Sequence, residues 1–100
     1  MIRASTPKHT FTLPFETTQI KSILISYGQN DKEVLSKRNK DCQLNEKAVV
    51  VKLTQEETKR FYVDLPVEIQ VRILTLTGDS LISKIFEVPC EKVINDEVLT

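Results

Sequence analysis

Val67–Cys90 reads VEIQVRILTLTGDSLISKIFEVPC, and this stretch decides the fold. Its first half alternates apolar and polar side chains, a period of two that places one face of a β-strand against a core. Gly78-Asp79 suits the centre of a two-residue hairpin turn, because glycine accepts the positive φ that such turns require. The stretch therefore predicts an antiparallel β-hairpin with one buried face, and an all-β domain. The apolar set of its first strand is Val67, Ile69, Val71 and Ile73.

A turn centred on Gly78-Asp79 also predicts which residues of the two strands face each other. The register sets Ile73 opposite Lys84, and a β-bulge near the turn or a snorkelling lysine would relieve that pair. The remaining pairs on this face are apolar or β-branched, as stable cross-strand pairs usually are. They are Ile69 with Val88, Val71 with Phe86, and Thr75 with Ile82.

The opposite face of the predicted hairpin carries an apolar group near the turn. One interpretation is that this chain's own loops cover the group. The other is a contact surface for a second protein, because contiguous exposed apolar patches usually mark partner sites. The candidate interface residues are Leu74, Leu76, Leu81 and Ile85.

Five further segments have strand patterns separated by turn signals. Pro14 lies in the first of them and lacks a ladder donor, which predicts an edge strand or a kink. About seven short strands predict a single domain, residues 1–100, with the architecture of an immunoglobulin-like antiparallel β-sandwich. A small β-barrel is the competing architecture. The five segments are His9–Phe15, Ile20–Tyr27, Glu33–Lys37, Cys42–Leu44 and Ala48–Leu53.

One short helix is predicted between the late strands. Thr54-Gln55-Glu56-Glu57 has the sequence of a capping box, in which the threonine hydroxyl and the Glu57 carboxylate each accept a hydrogen bond from an otherwise free backbone N–H. We expect the helix to end near Phe61, whose ring should lie buried beneath the sheets.

Composition argues against several classes of partner. Fourteen basic and fourteen acidic residues leave no net charge, so we predict neither nucleic-acid nor membrane binding. No apolar run approaches the roughly 20 residues of a membrane span. The opening sequence MIRASTPKHT has no apolar core of a secretion signal, which predicts synthesis in the cytoplasm without a signal peptide.

Candidate chemical groups are few. His9, the sole histidine, has no Asp or Cys close in sequence and is predicted to lie exposed at the start of the first strand. Cys42 and Cys90 match no metal motif and are expected to be free thiols, with an inter-sheet disulfide as the alternative. No nucleotide-binding, hydrolase or metalloprotease motif occurs. We therefore predict no catalytic residue, no metal site, no cofactor and no enzymatic activity.

The order of segments HTFTLPF, KSILISYGQND, VVVKLTQEET and VEIQVRILTLTGDSLISKIFEV resembles small immunoglobulin-like proteins of Firmicutes phages and prophages. It is also similar in layout to the N-terminal domain of upper baseplate proteins. The resemblance covers nearly the whole chain and rests mainly on LTQEET followed by VEIQVRILTLTG, which names no ligand residue.

The resemblance implies a non-enzymatic structural or adaptor component of a phage or prophage particle, such as a baseplate, tail or capsid accessory. Its partner would be protein, either a second copy or a larger phage assembly. The chain would be made in the bacterial cytoplasm and would be virion-associated. The alternative is a ligand- or carbohydrate-binding β-sandwich module. Sugar sites usually use exposed aromatic side chains, and this chain has no Trp and only two Tyr.

Overall fold

Eight strands form two antiparallel sheets that pack as a sandwich in the computed structural model, which describes residues 1–100. The strands are β1 Lys8–Thr12, β2 Ile20–Gln29, β3 Lys32–Arg38, β4 Cys42–Asn45, β5 Ala48–Lys52, β6 Val67–Thr75, β7 Ser80–Ile82 and β8 Phe86–Val88. The single α-helix, α1, spans Gln55–Thr58, and short 3₁₀ turns span Thr17–Gln19 and Asn39–Asp41.

The strand order is that of an immunoglobulin-like sandwich. One sheet has the order β1-β5-β4, and the other has β3-β2-β6 with β7 and β8 both pairing with β6. These orders correspond to the B-E-D and C′-C-F-G strands of immunoglobulin domains, with α1 on the crossing from E to F. The predicted β-sandwich is confirmed, and the β-barrel is excluded. The predicted edge position of the first strand is also confirmed, because β1 is the outer strand of its sheet.

The core lies where the predicted alternation places it. Thirteen buried residues from both sheets and the segment after α1 form one cluster. Ile23, Ile25 and Tyr27 of β2 face inward, whereas Leu24 is only half-buried on the other face. Val49 and Val51 of β5 and Leu53 just after it are buried as well. The apolar set predicted for β6 is also buried, and it comprises Val67, Ile69, Val71 and Ile73.

The hairpin turn differs from the prediction and contains three residues, Leu76–Gly78. The Gly78 N–H donates to the Thr75 carbonyl at 3.0 Å, and the Thr75 N–H donates to the Asp79 carbonyl at 2.9 Å. Gly78 has a φ of 91°, the left-handed conformation that ends a type I turn in three-residue hairpin loops. Glycine is therefore the last residue of the turn, and the predicted centre at Gly78-Asp79 is wrong.

This turn shifts the register of β7 by three residues. Ile73 pairs with Leu81 and not with Lys84. Because side chains alternate between faces, a shift by an odd number moves every β7 side chain to the face opposite the predicted one. Leu81 consequently points to the inner side of the sandwich.

The predicted second hairpin strand is divided into two. Residues 83–85 belong to no strand, and the Ser83 hydroxyl accepts a hydrogen bond from the Val71 N–H at 3.0 Å. Pairing then resumes with Ile69 opposite Phe86, two residues from the predicted partner Val88, so β8 keeps its predicted face. The local irregularity proposed to relieve the Ile73–Lys84 pair exists, and it changes the register on both sides.

Helix α1 has the predicted cap and a shorter length. The Thr54 hydroxyl accepts from the Glu57 N–H, and the Glu57 carboxylate accepts from the Thr54 N–H. The helix ends at Thr58, earlier than the predicted Phe61. The chain then turns inward, and the Phe61 ring is buried as predicted, next to Tyr27 in the core.

Candidate protein-binding surface

The predicted interface on the outer hairpin face is not one patch. Leu76 and Ile85 are exposed, at 62% and 52%, but Leu74 is half-buried. Ile85 lies beside Gln70 on the outer face, about four residues or roughly 13 Å along β6 from Leu74. Leu81, exposed at 42%, belongs to the inner face because of the register shift. The expected cluster of four residues on one face is therefore wrong.

The structure instead has an apolar groove between the edges of the two sheets, which we call the β1–β7 groove. Eight of its twelve lining residues are hydrophobic, and its volume is about 650 Å³. One wall is β1 and the segment after it, the floor is the inner face of β6, and the other wall is β7 with the start of β8. The apolar lining residues are Phe11, Leu13, Phe15, Val71, Ile73, Leu81, Ile82 and Phe86, joined by Pro14.

The groove is partly open to solvent along its rim. Ile82 and Phe86 are exposed at 58% and 38%. The Phe11 and Phe86 rings lie 6.3 Å apart between centroids and connect the two walls. Lys84 places its ammonium 5.5 Å from the Phe86 ring centroid, a cation–π contact at the rim. The rim of this apolar groove therefore carries one cation, beside Phe86.

The edge of β1 beside the groove has unpaired backbone groups. The Leu13 N–H donates to the Lys47 carbonyl, and the Leu53 N–H donates to the Pro7 carbonyl, which fixes the odd-numbered residues as those bonded to β5. Bonding alternates along an antiparallel strand, so the N–H and C=O of Lys8, Thr10 and Thr12 point away from β5. No strand lies on that side.

His9 is half-buried under β1, contrary to the predicted exposed position. Its Nδ1 lies 2.8 Å from the Tyr27 hydroxyl. Burial lowers the pKa of His9, and the positive charge of the N-terminus lowers it further. Burial likewise raises the pKa of Tyr27. Both side chains are therefore neutral at pH 7, and their hydrogen bond satisfies two polar groups at the edge of the core.

An ion pair connects the large sheet to α1. Lys37 Nζ of β3 lies 2.7 Å from a carboxylate oxygen of Glu57, and both side chains are largely buried. Burial alone would raise the pKa of Glu57, but the hydrogen bonds from Lys37 and from the Thr54 N–H outweigh burial and lower it. The same carboxylate thus caps α1 and holds β3 against it.

The two cysteines are separate free thiols. Cys42 is half-buried in β4, and Cys90 is buried after β8. Burial raises the pKa of both, which keeps them in the less reactive thiol form. No group of three or more His, Cys, Asp or Glu side chains is arranged to hold a metal ion. The chain also contains no helix with the length and apolar character needed to span a membrane.

Comparisons with protein-family models, with curated proteins and with solved structures gave no significant match.

Alternation along the predicted first strand, His9–Phe15, puts Phe11, Leu13 and Phe15 on one face, but it does not indicate that a groove lies beside them. The groove depends on β1 pairing only with β5 and on the three-residue turn that brings Leu81 inward. The sequence does contain one indication of the three-residue turn. Gly78 follows two residues that can occupy a type I turn, so the sequence is also compatible with a three-residue loop.

Proposed function

We propose that this protein is a non-enzymatic structural or adaptor component of a phage or prophage particle and that it acts by docking to protein. The observation that supports the docking role is the β1–β7 groove, an exposed apolar surface next to a strand edge with unpaired backbone groups. Both features are typical of sites at which proteins bind one another. The phage assignment follows from the sequence resemblance.

The docking surface in this proposal differs from the one predicted on the outer hairpin face. Leu74, Leu76 and Ile85 do not form a contiguous patch, whereas the groove brings apolar residues of both sheets together. The net charge of zero gives no long-range attraction to a charged polymer, which agrees with contacts made through shape and apolar burial.

The alternative, a carbohydrate-binding module, has weaker support. Tyr62 is exposed at 72%, but it follows α1 and lines no part of the groove, and Tyr27 is buried in the core. Three phenylalanine rings line the groove, Phe11, Phe15 and Phe86, but its polar lining is limited to Thr10, Thr12 and Ser83, without the amide or charged side chains that usually orient a sugar.

Induction of the prophage that encodes the chain tests the proposal. Particles purified from the induced lysate should contain the chain in fixed proportion to a known virion protein, measured by quantitative mass spectrometry. A strain without the gene provides the control. The proposal is wrong if the deletion strain yields particles of normal composition and infectivity while the wild-type particles lack the chain.

A further inference from the structure

The available edge of β1 is short and has definite limits. Its outward N–H and C=O groups belong to Lys8, Thr10 and Thr12, and none of these residues makes a backbone hydrogen bond outside the β1–β5 ladder. Pro14, two residues beyond Thr12 and on the same side, has no N–H to donate. A strand added to this edge can therefore pair with a window of five residues centred on Thr10.

This window is complementary to itself. In an antiparallel arrangement about a two-fold axis at Thr10, the Thr10 residues of two copies face each other and Lys8 faces Thr12 of the second copy. Those are the residues with outward backbone groups, so all three positions in each copy form hydrogen-bonded pairs. An antiparallel register shifted by one residue would set the outward groups of one strand against residues whose groups point inward on the other.

The side chains of the window fit the same arrangement. Lys8, Thr10 and Thr12 lie on the solvent face of the sheet. The symmetric register opposes threonine with threonine, a favourable cross-strand pair, and keeps the two Lys8 ammonium groups apart. On the inner face, the same register sets Phe11, which lines the β1–β7 groove, opposite His9 of the other copy.

We infer that the partner of the β1 edge is a second copy of this chain and that two copies join their three-stranded sheets into one continuous six-stranded sheet. The pairing covers the groove rim at Phe86 and gives the edge strand a partner. This inference rests on the proposed function, because it names a protein partner for the same groove. It concerns the purified chain alone, however, and can therefore fail separately.

Sedimentation equilibrium of the full-length chain over a range of concentrations tests the inference. The wild type should show a reversible monomer–dimer equilibrium. Thr10→Pro removes one outward N–H from each copy without removing a bond to β5, and it should abolish the dimer. Thr10→Val keeps the backbone and a β-branched side chain, so its dimerisation should match the wild type. Circular dichroism confirms that each variant is folded.

A second pair of variants tests the register. Thr12→Glu places a carboxylate opposite Lys8 of the second copy, twice per dimer, and should lower the dimer Kd by about twofold to thirtyfold. Thr12→Lys places its ammonium group opposite Lys8 of the second copy, again twice per dimer. This repulsion between like charges should raise the dimer Kd by a similar factor. Added salt should reduce both effects because the charges are exposed.

Two results would overturn the inference. One is a wild-type chain that stays monomeric at its highest soluble concentration. The other is a dimer whose Kd is the same in Thr10→Pro, Thr12→Glu and Thr12→Lys, which would place the interface elsewhere. A monomeric chain that is nevertheless found in purified particles would overturn the symmetric pairing and leave the proposed function standing.

Discussion

At the scale of single residues, His9 gives the protein a definite pH dependence. Its pKa is lowered by burial and by the N-terminal charge, below the ordinary value of 6.5 that it takes in the unfolded chain. The unfolded state therefore binds the proton first as the pH falls, so the contribution of His9 to stability is complete above pH 6.5 and is lost below it. NMR titration of the folded protein should give a His9 pKa below 6.5.

Urea unfolding on either side of pH 6.5 provides the matching stability measurement. His9→Gln, which cannot titrate, should weaken the dependence of stability on pH in this range. A folded-state pKa for His9 at or above 6.5 would contradict the buried, neutral imidazole.

Gly28 is a second position at which the identity of one residue affects stability, because the backbone leaves no space for a Cβ. It lies at a register shift between β2 and β3, and a Cβ there would be 2.8 Å from the Lys32 carbonyl oxygen. That atom belongs to the backbone, so Gly28→Ala must displace the β2–β3 hairpin and should cost about 1–3 kcal/mol of unfolding free energy. Ser26→Ala, on the same strand and half-buried, is the control for urea denaturation. Equal stability of Gly28→Ala and wild type would show that the strands separate more easily than the structure indicates.

At the scale of elements, α1 depends on its cap, because it contains only four residues. The Thr54 hydroxyl accepts from the Glu57 N–H at 3.1 Å. Thr54→Ala should cost about 0.5–2 kcal/mol, since a free backbone donor loses its partner. Thr54→Ser retains the acceptor and should retain most of the stability in chemical denaturation. If the alanine and serine variants are equally stable, the hydroxyl does not stabilise the helix.

The Lys37–Glu57 pair joins α1 to β3, and its effect depends on pH. The folded pKa of Glu57 lies below the ordinary value of 4.5, so the pair stabilises the protein above pH 4.5 and loses this effect as the pH falls through the folded pKa. A double-mutant cycle with Lys37→Met and Glu57→Gln at neutral pH should give a coupling of about 0.5–3 kcal/mol. The coupling should disappear in acid, and a coupling independent of pH would contradict an ionic contact.

The elements also show how far sequence reasoning reaches. Alternation identified the buried faces of β2, β5 and β6 correctly, because burial repeats every two residues over a whole strand and single errors do not accumulate. The turn had no such redundancy. Placing Gly78 at the end of a three-residue loop shifts β7 by an odd number of residues, which moved Leu81 to the inner face and divided the predicted interface. The end of α1 was also predicted incorrectly, because the chain leaves the helix after Thr58 and buries Phe61 in the core.

At the scale of the whole molecule, the candidate site depends on contacts between distant parts of the sequence. The β1–β7 groove combines residues from both ends of the chain, and its open rim exists because β1 pairs with β5 alone. Strand patterns do not specify which strands become neighbours, so the sequence predicted the sandwich but not the groove. The β1–β7 groove consequently depends on which strands are neighbours, whereas the core depends on the alternation of residues within each strand.

The shared core predicts that the two sheets unfold together. Residues of both sheets and Phe61 belong to one buried cluster, and neither sheet has a second core of its own. Unfolding in urea should therefore be a single transition, with far-UV circular dichroism and tyrosine fluorescence giving the same midpoint. Two separate midpoints would contradict a common core.

Phe61→Ala should shift both signals to lower urea by the same amount and cost about 3–5 kcal/mol, because it leaves a cavity between the sheets next to Tyr27. Tyr62→Ala is the matched control, since Tyr62 is the next residue and is exposed at 72%. Removal of its ring should change stability by less than about 0.5 kcal/mol. If the two alanine variants lose similar stability, the ring of Phe61 is not the contact that holds α1 and both sheets to one core.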